Sequence, residues 1–157
     1  MFTRYTGNRQ FDLQLNRTFQ PILDRAGMDE MAATTLPQLR STREITTLAQ
    51  RLAERFSSEG DADAAWRLYE LAAFYLGAGD PRKGRFIDAM SAAFDEAHKG
   101  LALARHAVPY RGGELTAMRW EADPVHRELA PAGTPHTLVM MNGFDGYAEE
   151  IIDFASH

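Results

Sequence analysis

Cysteine is absent from the 157 residues, which excludes a disulfide, a thiol nucleophile and any zinc site built on cysteine. Its absence also favours a cytoplasmic protein. Long hydrophobic runs are missing too: nothing approaches the roughly 18 apolar residues that a membrane span requires. The opening segment, Met1-Phe-Thr-Arg-Tyr-Thr-Gly7, has no apolar stretch of the kind a secretory leader carries. A membrane is therefore not an expected partner. Neither is nucleic acid, because 17 Lys and Arg against 22 Asp and Glu leave a net charge of −5, and no basic cluster stands out. The histidines at 98, 106, 126, 136 and 157 show no H-x-x-x-H or H-E-x-x-H spacing, so neither a metal site nor a cofactor is expected. There is no G-x-S-x-G nucleophile turn, Ser156-His157 makes no dyad, and no internal repeat stands out.

What is present begins with helices. The chain is long enough for one domain with a real core. Leu15, Phe19, Ile22 and Ala26 recur at helical spacing and predict a first helix over about 9–26, weakened at Pro21. Residues 27–40 read as a connection with a short helical turn. Ser41-Thr-Arg-Glu44 is a capping-box sequence, and Ile45, Leu48, Ala49, Leu52, Ala53 and Phe56 form the stripe of the helix it opens. A further helix spans about 61–76, striped by Ala65, Leu68, Tyr69, Ala72, Ala73 and Leu76. Asp80-Pro81 then opens another, with Asp as N-cap and Pro in the first turn. Phe86, Met90, Ala93, Phe94, Ala97 and Leu101 continue its apolar face, and Gly100 falls in its last turn.

From residue 104 the period changes to two. His106 to Tyr110 and Glu114 to Glu121 predict a hairpin with Gly112-Gly113 as its turn and Thr116, Met118 and Trp120 on one face. Pro109 assigns the first strand to an edge or a bulge. After a loop over 122–135, the apolar run Leu138–Met141 predicts a strand buried on both faces. The turn Asn142-Gly-Phe-Asp-Gly146 follows, and then an acidic helix start at Glu149-Glu150. The expected fold is mixed α and β: a helical region over 1–103, then about three strands and a helix over 104–157.

Each candidate for chemistry has two readings. The 142–146 turn suits an oxyanion hole, since backbone N–H groups at a strand-to-helix turn face developing negative charge. It also suits an ordinary connection with Asp145 as helix N-cap, since such caps are common. Glu149 and Glu150 suit a general base, or favourable charge at a helix N-terminus. Trp66, Tyr69, Phe74, Tyr75, Phe86 and Phe94 suit the wall of a ligand pocket, or helix core. The helix pair 44–56 and 61–76 is also of the kind found in TPR-like interaction modules, although one pair cannot stack into a solenoid.

Taken in order, several segments resemble a set of α/β-hydrolases that includes the dihydroxypseudooxynicotine hydrolases, the fermentation-respiration switch proteins and related esterase-like enzymes. Those segments are Ala72-Ala-Phe-Tyr75, Asp80-Pro-Arg82, Val108-Pro-Tyr-Arg-Gly-Gly-Glu-Leu115, the turn Asn142-Gly-Phe-Asp-Gly146 and the acidic pair Glu149-Glu150. Asn142 stands where the family pattern has its first Gly. The resemblance covers about residues 40–154. It implies the first strands of an α/β-hydrolase sheet, incomplete here, preceded by a helical cap. It also implies a serine nucleophile, with an acid and a histidine following in chain order, all beyond His157. The implied activity is hydrolysis of an ester, or of a C–C bond next to a carbonyl. The site residues it implies are Gly143, Phe144 through its backbone N–H, and Asp145. A small-molecule substrate is implied for the whole enzyme, and this chain alone is expected to be inactive. The rival expectation is a non-catalytic helical module that self-associates. The partner is then either another copy or, on the first reading, the remainder of the hydrolase.

Overall fold

The computed structural model describes residues 2–120, 139–141 and 146–155. The chain divides into two units, Met1–Ala97 and His98–His157, and each is described by itself.

In the first unit the chain enters α1 (Arg9–Phe19) through Asn8, whose side chain accepts from the amides of Gln10 and Phe11. Two buried polar residues of α1 tie the preceding segment back onto it. The Asp12 carboxylate accepts from the Thr6 amide at 2.7 Å and from its hydroxyl at 2.9 Å. Asn16 accepts from the Thr3 amide and donates to the Thr3 carbonyl. The predicted helix to residue 26 is too long. Pro21 has no N–H to continue the ladder, so α1 gives way to a 3-10 turn over Gln20–Ile22. The expected connection over 27–40 is more ordered than its sequence suggests. Gly27, at φ 76°, turns the chain into α2 (Met28–Thr34), and a 3-10 turn follows at Leu36–Gln38. Met28, Ala32, Leu36 and Leu39 from this stretch are buried in the core.

The Ser41 capping box opens α3 (Thr42–Glu59) as predicted. The Ser41 hydroxyl accepts from the Glu44 amide, and the Glu44 carboxylate accepts from the Ser41 amide. A Schellman motif closes α3: Gly60 sits at φ 81°, its N–H donates to Ser57, and the Asp61 N–H donates to the Phe56 carbonyl at 2.9 Å. Asp61 then caps α4 (Ala62–Phe74) by accepting from the Ala64 amide. One short connection therefore ends one helix and starts the next, which makes α3 and α4 neighbours. Helix α5 (Pro81–Ala97) begins at Asp80, whose carboxylate accepts from the Arg82 amide and guanidinium. It ends before Gly100, and Leu101 lies outside it, because the chain turns over at His98–Gly100. Helix α4 packs against α3 on one side and α5 on the other. Leu48, Leu52, Leu68, Ala72, Phe86 and Phe94 are buried, as the three stripes require.

In the second unit β1 (Leu103–Tyr110) and β2 (Gly113–Trp120) form an antiparallel hairpin. The turn lies one residue earlier than its glycine pair suggests. Arg111 at φ 47° and Gly112 at φ 80° are its two central residues, and Gly113 is already in β2, paired with Tyr110. Positive φ at both central positions matches the right-handed twist of the strands, which outweighs the strain on Arg111. A two-residue turn of this kind closes on a hydrogen-bonded pair, and pairs alternate from there. Pro109 opposite Glu114 is then a non-hydrogen-bonded pair, where the missing N–H would have pointed outward. The strand needs no bulge, and the register is continuous. Opposed residues share a face. Leu103, Met118 and Trp120 lie on one, half-buried, while Val108, Tyr110 and Leu115 lie exposed on the other.

Two expectations are corrected here. Val139 to Met141 belong to no strand, and Val139 and Met141 are 78% and 87% exposed rather than buried. A strand buried on both faces needs ladder partners for its backbone, and none of the described residues provides one. The sheet accordingly has two strands among the described residues, not about three. The last helix, α6 (Ala148–Ala155), starts where the acidic pair predicted it. The mixed α and β class holds: six helices and one hairpin among the described residues.

Candidate functional site

The expected oxyanion turn is bracketed but not placed. Gly143, Phe144 and Asp145 lie outside the described residues, as does Asn142. Immediately after it, Gly146 and Tyr147 are half-buried and lead into α6.

The acidic pair of α6 resolves into two structural jobs. Tyr147 precedes the helix, and its N–H donates to the Glu150 carboxylate at 2.9 Å. That is the reach-back half of a capping box, with Glu150 at the third helical position. Glu149 faces the hairpin instead. Its nearly buried carboxylate lies 3.0 Å from the Arg105 guanidinium on β1. Arg105 projects from the same hairpin face as Met118 and also touches the Met118 sulfur at 3.5 Å. One turn further along α6, Asp153 lies 3.6 Å from the His98 imidazole. Glu149 and Asp153 are four residues apart and so share a face of the helix. Ile152 beside them is buried. This acidic face meets one face of the hairpin through Arg105. The geometry gives Glu150 the helix-start role, capping its own helix, while the Glu149 carboxylate is held by a guanidinium.

Arg105 and His98 were missed as partners in the sequence. Arg105 lies 44 residues from Glu149, and no local pattern announces a contact that the fold alone creates.

The aromatic positions of the first unit take the core reading. Trp66, Phe86 and Phe94 are buried. Trp66 meets Phe94 edge to face at 5.3 Å between centroids, a favoured arrangement for two quadrupoles. Tyr69 lies against Phe86 at 6.3 Å. Tyr75 stands between Phe11 and Phe74, at 5.9 and 4.9 Å. Its buried hydroxyl has no hydrogen-bond partner, and burial pushes its pKa up to about 12. At the start of α4, Asp63 accepts from the Trp66 indole and from Arg67. Arg25 reaches Asp61 and Asp63 at 3.1 Å each. These charges fasten the loop before α2 to the helix start, near the positive end of its dipole.

Among the described residues no group of three or more His, Asp or Glu is arranged to hold a metal ion. No helix among them is long and apolar enough to cross a membrane. Comparison of the chain with protein-family models, with curated proteins and with solved structures gave no match.

Proposed function

We propose that the chain is the N-terminal portion of a serine-type α/β-hydrolase acting on an ester, or on a C–C bond next to a carbonyl. The helices of residues 1–103 supply the cap, and the Phe144 amide supplies one oxyanion-hole donor, with Gly143 shaping the turn and Asp145 completing it ahead of α6, which begins at Ala148. The small-molecule substrate binds once the remainder of the hydrolase completes the site.

The observation that carries this reading is the asymmetry of the hairpin. Pro109 removes an outward N–H from β1, which suits a sheet edge. On β2, the outward-facing positions Glu114, Thr116 and Met118 keep their donors, so the sheet can continue on that side. Helix α6 meets one face of the hairpin through Arg105, while Val108, Tyr110 and Leu115 are exposed apolar side chains on the other. Open α/β sheets have helices on both faces, and an isolated two-stranded hairpin is marginal in water.

The same exposed side chains favour a second reading, a non-catalytic module that self-associates. The two are separated by chemistry. On the hydrolase reading the chain alone reacts with neither a fluorophosphonate probe nor p-nitrophenyl esters. In a polypeptide that joins this segment to a G-x-S-x-G turn, Gly143→Val lowers kcat with little change in stability. A branched side chain distorts any turn that needs positive φ there, and loss of an oxyanion donor costs about 10²–10³ in kcat. Labelling of a serine in this chain, with turnover lost on mutating it, overturns the proposal. An unchanged kcat in Gly143→Val removes Phe144 from the site.

A further inference from the structure

We draw no further inference here: the strongest candidate, the exposed apolar patch of the hairpin formed by Val108, Tyr110 and Leu115, is part of a sheet face, and nothing among the described residues shows what covers it.

Discussion

Leu68→Ala tests the architecture of the helical unit most directly. Leu68 sits midway along α4, is 0% exposed, and belongs to a helix packed by α3 on one side and α5 on the other. The substitution removes three carbon atoms from the core. At about 0.8 kcal/mol per buried methylene, the transfer loss is about 2.4 kcal/mol. A cavity adds about 24 cal/mol for each Å³ that the surroundings fail to refill. With helices pressing from both sides, collapse is incomplete, and a total of about 3–4 kcal/mol is expected, within the range of about 2–5 for such sites. That is a large part of the roughly 5–15 kcal/mol of a typical domain. Urea denaturation provides the assay, followed by far-UV circular dichroism and by the fluorescence of the buried Trp66. With a slope of about 1.5 kcal/mol per molar, the midpoint falls by about 2–3 M. Leu13→Ala on α1 is the control, because Leu13 is 50% exposed and surface changes stay within about 0.5 kcal/mol. Equal midpoints for the two variants would refute the packing argument.

Three further outcomes are expected. Ser41→Ala removes the acceptor of the Glu44 amide and costs about 1 kcal/mol in the same denaturation assay, whereas Ser41→Asn retains most of the stability; a null effect of Ser41→Ala denies the cap a role. The Arg82 guanidinium and amide hold the Asp80 carboxyl down at about 2, below its ordinary value of 3.8, so this contribution is fully present above about pH 4 and is lost as the pH falls through 2. In Arg82→Ala the Asp80 carboxyl, followed by NMR titration, moves up toward its ordinary range, and an unmoved titration rejects the pairing. Arg105→Ala leaves the Glu149 carboxylate without its guanidinium, so amide exchange over α6 accelerates while exchange over α3 and α4 is unchanged; unaltered protection of α6 shows that the pair does not hold the helix.

Most helix starts and stops were determined by the sequence itself, because their causes lie within four residues. Ser41 and Glu44 complete each other one turn apart, Asp80 and Pro81 are adjacent, and Gly60 alone supplies the positive φ that closes α3. The apolar stripes were equally legible, since a helix that must bury one face repeats that face every three or four residues. The ordered path of residues 27–40 was not, because Met28, Leu36 and Leu39 make sense only against the core they enter. Nor was the offset of the hairpin turn. Strand pairing and twist chose Arg111-Gly112 over the glycine pair that composition suggested. For the candidate site the division is sharper. The proposed oxyanion turn, Asn142 to Gly146, is read from sequence alone, since residues 142–145 lie outside the described residues. What Glu149 does was decided by tertiary structure, which brings Arg105 across 44 residues to its carboxylate, whereas Glu150 caps its own helix from three residues away. The apolar run through Val139 to Met141 shows the physical reason. Hydrophobicity states that a segment favours burial, but a strand exists only where a neighbouring backbone accepts and donates its hydrogen bonds, and that partner is a property of the fold.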